Sequence, residues 1–172
     1  MIDNIRLATL PDARALATIH VEGWHAAYRD IVPPELLARR SVDVRERDFV
    51  ALLSHPGDDD RIWVSESEGR VAGFAYTRAG KDSDVDRPGE LKLFYVSPGL
   101  RGSGIGLPLF EHAVADLEAR KLSPYLYTFR DNAAARRWYE KRGWRHDGAS
   151  APWSDRGEYP KLVEVRYRPV AT

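Results

Sequence analysis

The stretch ELKLFYVSPGLRGSGIG, residues 90–106, decides how this chain is read. It opens on a β-rich run, Leu91–Val96, which Ser97, Pro98 and Gly99 end. A glycine-rich turn follows, Arg101-Gly102-Ser103-Gly104-Ile105-Gly106. After it, Ile105, Leu109, Phe110, Ala113, Val114 and Leu117 recur at helical spacing, which predicts a helix over 104–120. Glycines let backbone N–H groups approach a ligand with no Cβ in the way. A helix start adds unpaired N–H groups and the positive end of the helix dipole. Together they make an anion site suited to phosphate, to which Arg101 can add a bidentate contact. The turn is not a P-loop, because Leu107 and Pro108 stand where Lys and Ser or Thr are needed. It is not G-x-G-x-x-G either, because counting from Gly102 or Gly104 places Leu107 or Leu109 at the third glycine. The pattern R-x-x-G-x-G does fit, at Arg101, Gly104 and Gly106. A strand-to-helix turn with no ligand is the alternative that this motif alone leaves open.

Working outward, Ile5–Leu7 predicts a short first strand. Thr9, Pro11 and Asp12 carry the signals of a helix start, and Leu16, Ile19, Gly23, Trp24 and Ala27 line one helical face after it. Residues 35–53 read as one or two helices, with Ser41 a cap between them. Ile62–Ser65, a turn at Glu68 and Gly69, and Val71–Arg78 read as a hairpin. The polar stretch 79–89 is expected to be a long mobile loop. Beyond the glycine turn come a strand at Tyr125–Phe129, a helix at Ala133–Arg142 closed by Gly143, and a strand at Leu162–Arg168. Strand–helix–strand units imply parallel pairing and hairpins imply antiparallel pairing. The expected class is therefore a mixed α/β (α+β) sheet. No repeat or linker interrupts the chain, so 1–172 is expected to form one domain.

Composition narrows the function. The 172 residues include 26 Lys and Arg against 26 Asp and Glu, and no Cys. Without Cys there is no disulfide, thiolate metal site or Cys nucleophile. A net charge of zero argues against nucleic acid as the main partner, because phosphate neutralisation supplies most of that affinity. No apolar run approaches the ~20 residues that span a bilayer. The first residues show no basic start followed by an apolar block, so a cytoplasmic protein with no membrane partner is expected. His20 and His25 do not share a helix face well, and His55, His112 and His146 show no ligand spacing, so no metal is expected.

Three stretches resemble the GNAT superfamily of N-acetyltransferases. Residues 90–106 match its strand and pyrophosphate loop. NAAARRWYEKRGW, residues 132–144, resembles its N-x-x-A-x-x-F/W-Y-E-K-x-G-F/W segment. IHVEGWHAAYRDIVP, residues 19–33, is similar to its first helix and following loop. The resemblance implies a mostly antiparallel central sheet with a splayed parallel strand pair and flanking helices. It implies acetyl-CoA as donor and an amine of a small molecule or peptide as acceptor. The pantetheine arm would pair with the main chain of Phe94, Tyr95 and Val96. The diphosphate would sit on the N–H groups of Gly102, Ser103, Gly104, Ile105 and Gly106 beside Arg101. Asn132 would touch the cofactor arm, although a plain helix cap is also allowed there. The stretch 148–160 often shapes the acceptor site or a dimer contact in relatives, so a homodimer is among the implications.

Acyl transfer from a thioester to an amine needs a neutral amine, a donor for the oxyanion, and often a proton for the thiolate. Glu90, at the start of the cofactor strand, is the candidate base, set against an exposed strand-end Glu. Tyr139 is the stronger candidate, as the group that protonates or holds the departing sulfur, set against a core aromatic beside Trp138. A backbone N–H near Tyr95 is the oxyanion donor. Trp24 and Tyr28, one helical turn apart, are candidates for the acceptor wall, set against ordinary packing. Direct attack needs no protein nucleophile, and no G-x-S-x-G elbow is present. A catalytically inactive acyl-CoA-binding sensor or interaction module is the rival reading. A nucleotide-binding protein is disfavoured by the failed motif tests.

Overall fold

The computed structural model describes residues 4–153 and 159–170. Strands β1 (Asn4–Leu7), β2 (Arg61–Ser67), β3 (Arg70–Ala79), β4 (Pro88–Val96), β5 (Ser123–Phe129), β6 (Trp144–Pro152) and β7 (Val163–Pro169) form one sheet. Its order is β1-β2-β3-β4-β5-β7-β6, and every pairing is antiparallel except β4 with β5. Helices α1 (Ala13–Tyr28), α2 (Pro34–Ala38), α3 (Val42–Ser54), α4 (Gly106–Ala119) and α5 (Ala133–Glu140) complete the fold. The mixed, mostly antiparallel sheet with one parallel pair is the architecture expected. Among the described residues no helix is long and apolar enough to cross a membrane.

Local chemistry explains most element ends. Ser41 caps α3 by accepting the Val44 N–H at 3.2 Å. Pro108 falls in the first turn of α4, where its missing N–H costs nothing. Gly143 adopts φ +78° just past α5, a conformation that suits glycine. The helix predicted from residue 104 begins at Gly106, because Gly102 and Gly104 are held at φ +82° and +88°. Sequence periodicity also misses β6, which mixes polar, small and glycine residues and is mostly exposed. Residues 154–158 of the 148–160 stretch lie outside the described residues.

The expectation of a long mobile loop at 79–89 is corrected. The strands β3 and β4 run into it from both ends. What remains is pinned by Arg166, which is buried and reaches Asp82 at 2.7 Å, Asp84 at 2.8 Å and Asp147 at 2.8 Å. The Tyr127 hydroxyl donates to Asp82 at 2.7 Å, and Val85 is buried. The acidic residues that read as loop composition are the partners of a distant arginine.

Two apolar layers flank the sheet. On one face α1 and α3 pack Leu16, Ile19 and Phe49 against Val64, Phe74 and Tyr76. On the other, α4 and α5 pack Leu109, Phe110, Ala113 and Tyr139 against Leu91, Leu126, Val165 and Tyr167. A third cluster joins Trp24 of α1 to Leu36, Leu37 and Phe129. His20 lies inside the first layer, its ring 4.9 Å from that of Tyr95, with Nδ1 accepting from Arg45 Nε at 2.9 Å. Burial, reinforced by the charges of Arg45 and Arg40, pulls its pKa down to about 3.

His20 therefore enters the folded state neutral. The unfolded chain takes its proton near pH 6.5 and the folded chain only near pH 3. Between those values the unfolded state binds one more proton, so stability falls as pH falls through the window and is flat above it. Urea unfolding of wild type and His20→Gln at several pH values is expected to differ in slope by about 1.4 kcal/mol per pH unit between about pH 6 and pH 4. Coincident slopes would mean that His20 titrates normally in the folded protein.

Candidate active site

The parallel pair parts almost as soon as it forms. β4 and β5 are paired at Pro88 with Ser123, Gly89 with Pro124 and Glu90 with Tyr125. From Leu126 to Phe129, β5 pairs with β7 instead. The cause lies in β4. Leu91 stands opposite Thr77 and Leu93 opposite Tyr76, so Lys92 is an extra residue, a bulge. A bulge bends its strand and raises the local twist. Beyond it, Phe94, Tyr95 and Val96 keep β3 on one edge and have no strand on the other. The gap is a cleft of about 590 Å³, walled by Leu91–Val96, by Leu126–Thr128, by Asn132, Ala135, Trp138 and Tyr139 from α5 and its cap, and by Ala26–Tyr28 from α1.

The glycine turn closes one end of this cleft. Arg101, Gly102, Gly104 and Gly106 all line it. Ile105 anchors the turn, with a side chain that is fully buried. Ser103 spends its N–H on Leu100 O at 3.2 Å and its hydroxyl on the same carbonyl at 2.6 Å. The N–H groups of Gly102, Gly104 and Gly106 meet no acceptor among the described residues. Three such donors beside the start of α4 are the kind of group that can bind an anion. Arg101 is exposed beside them, with Nη2 3.4 Å from Gly23 O.

The side chains singled out from the sequence divide into those on the cleft and those behind it. Tyr139 lines it, and burial pushes its phenol well above the ordinary value, helped by the nearby Tyr28. Tyr28 also lines it beside Tyr95, and burial raises both phenols. Asn132 is the N-cap of α5, accepting the Ala135 N–H at 3.1 Å, and it lines the cleft as well. Trp24 sits behind Tyr28, the rings 4.6 Å apart, and is buried. Glu90 is not an exposed strand-end residue, being 4% exposed and held by Arg78 Nε at 2.7 Å, with Lys92 Nζ at 3.4 Å. Lys92, rather than Glu90, is on the cleft wall.

Sequence reasoning passed over Lys92, Trp138 and Arg142. Arg142 lies 3.5 Å above the Trp138 ring, and both border the cleft. Their spacing of four along a helix was a readable signal. The bulge that exposes Lys92 was not, because it depends on the register with β3. Among the described residues no group of three or more side chains gathers as a metal site.

Comparison with known proteins agrees with this geometry. The profile of the acetyltransferase (GNAT) family matches residues 21–144. An uncharacterised N-acetyltransferase of Archaeoglobus fulgidus is 30% identical over 155 residues, covering 88% of this chain and 99% of that protein. A mycothiol acetyltransferase of Amycolatopsis mediterranei is 33% identical over 96 residues, which are 52% of this chain and 32% of that protein. The PaiA N-acetyltransferase of Thermoplasma acidophilum, solved in complex with coenzyme A, shares the fold with a TM-score of 0.72 over 99% of each chain at 18% identity.

The cleft wall depends on one close approach. A Cβ placed on Gly23 of α1 would lie 2.6 Å from Tyr95 Cδ1. Gly23→Ala gains helix propensity of about 1 kcal/mol but overpacks the site at a cost of about 1–3 kcal/mol. The net expectation is a thermal midpoint lowered by about 2–4 °C. A raised midpoint would show that Tyr95 has room to move.

Proposed function

Because this chain belongs to the acetyltransferase (GNAT) family, we propose that its cleft transfers an acetyl group from acetyl-CoA to an amine of a small molecule or peptide, by direct attack within a ternary complex. One observation carries the reading: the free edge of β4 and, past the turn at Pro98–Leu100, three glycine N–H groups with no acceptor among the described residues border the same cleft. The pantetheine arm carries amides, and a strand edge with open backbone groups accepts amides as it accepts another strand. Phe94, Tyr95 and Val96 would hold that arm. Gly102, Gly104 and Gly106 would supply the diphosphate donors, with Arg101 adding charge and Ser103 shaping the turn. Positive φ at Gly102 and Gly104 fits the group, since any side chain there would be strained. Asn132 would face the arm with the amide end that is not spent on capping.

Acetyl-CoA supplies an activated thioester when bound, and the chain's own residues do the rest. An alkyl amine near pKa ~10.4 must first lose a proton. Glu90 would take it through water, because Arg78 holds one of its oxygens and the carboxylate lies off the cleft wall. A backbone N–H near Tyr95 would stabilise the oxyanion. Tyr139 stays protonated at any working pH, since burial raises its pKa. A phenol above its usual value near 10 is a weaker acid than a thiol near 8.5, so full proton transfer runs uphill. The role that fits Tyr139 is a hydrogen bond donated to the departing sulfur.

Titration calorimetry with coenzyme A is expected to show binding, weakened at least tenfold in Gly104→Ala with the thermal midpoint within a few degrees of wild type. In a thiol-release assay over a panel of amines, Tyr139→Phe is expected to lose about ten- to hundredfold in kcat, the worth of a charge-assisted hydrogen bond of about 1.5–3 kcal/mol. Its KM for acetyl-CoA is expected to stay within about threefold. Absence of coenzyme A binding at millimolar levels removes the whole reading. Full turnover by Tyr139→Phe removes only the sulfur role.

A further inference from the structure

On the sheet face that carries α1, β7 presents Glu164 and Arg166, while Val165 and Tyr167 point into the opposite core. The two charges are treated differently. Arg166 is met by Asp82, Asp84 and Asp147. Glu164 is half-buried and makes no hydrogen bond or ion pair among the described residues. Other carboxylates on this face are compensated, Glu90 by Arg78 and Asp82 by Arg166.

Glu164 is not itself on the cleft wall, but its neighbours connect it to residues that are. Register sets it opposite Phe129 of β5 and Ala151 of β6. The Phe129 ring is 5.0 Å from that of Tyr28 and 5.9 Å from that of Trp153. Tyr28 and Lys92, which both line the cleft, lie within the field of the Glu164 charge. Burial pushes its carboxyl above the usual carboxylate range, with Lys92 pulling it down and Glu90 pushing it up. A carboxylate left without a donor beside an aromatic wall is costly, and a cation delivered there removes the cost.

We propose that Glu164 is the subsite that first receives the acceptor's ammonium group, before that nitrogen gives up its proton through water to Glu90, with the acceptor's carbon skeleton resting on Tyr28. Resting on the acetyltransferase reading, this assigns the acceptor a class: small alkyl or arylalkyl amines that arrive as cations, in preference to amines that carry a phosphate or carboxylate. Glu164 then sets selectivity for the acceptor and leaves the donor side untouched.

The test uses protein saturated with coenzyme A and labelled with carbon-13 at glutamate carboxyls. Butylamine and phenethylamine are titrated in at pH 7, and the Glu164 signal is identified by its loss in Glu164→Gln. The expected result is a saturable shift of that signal, an amine Kd raised at least tenfold in Glu164→Gln, partial recovery in Glu164→Asp, and an unchanged Kd for coenzyme A. The proposal is overturned if the signal does not move, if Glu164→Gln binds the amines as tightly as wild type, or if glucosamine 6-phosphate binds more tightly than butylamine. Failure of wild type to bind coenzyme A instead sinks the acetyltransferase reading, and the same amine titration on the free protein still decides the subsite.

Discussion

A β-strand that loses its neighbour halfway along must do something with its open backbone groups. Here the loss begins at Lys92, the extra residue that turns β4 away from β5. β5 is repaid at once by β7, but Phe94, Tyr95 and Val96 are not. An unpaired strand edge is normally a liability that proteins cover or blunt. This one is enclosed by α5, by the end of α1 and by the glycine turn. In the function proposed for the cleft, that edge would take the pantetheine arm and the glycine N–H groups beyond it the diphosphate.

The same parting of strands needs support from elsewhere. Tyr95 can fill the space beneath α1 only because Gly23 has no side chain, and His20 can sit against it only because burial keeps the imidazole neutral. On the far side of the gap, Arg166 ties β7 to the 80–87 connection through Asp82 and Asp84 and to β6 through Asp147. Single buried ion pairs add little net stability. This hub matters instead as a fastener, since it ties β7 to the β3–β4 connection and to β6 beyond the point where β4 leaves β5.

Burial also orders the chemistry proposed for the cleft. The phenols of Tyr28, Tyr95 and Tyr139 are all raised, so each remains a neutral hydrogen-bonding group rather than an acid that gives up its proton. The carboxylates diverge. Glu90 is locked to Arg78, whereas Glu164 meets no donor among the described residues and burial raises its carboxyl. Two glutamates, one buried and one half-buried, are thus suited to different tasks by burial and by their neighbours.

Much of this was legible along the chain because it is local. The Ser41 cap, the Gly143 stop, the glycine turn and the amphipathic α4 each follow from residues within about four positions of one another, where propensity and backbone sterics decide. The two motifs flanking α4 were enough to identify the family's strand, loop and helix. What tertiary structure alone decided is pairwise and distant. The bulge at Lys92 exists only relative to Tyr76 and Thr77 of β3. The polar stretch 79–89 became an ordered connection because Arg166, far along the chain, met its aspartates. Nothing in the strand pattern of 162–168 sets Glu164 apart, whereas the fold places an aromatic wall beside it and no donor among the described residues. Alternation tells which residues share a face, but only the packed fold tells what covers that face.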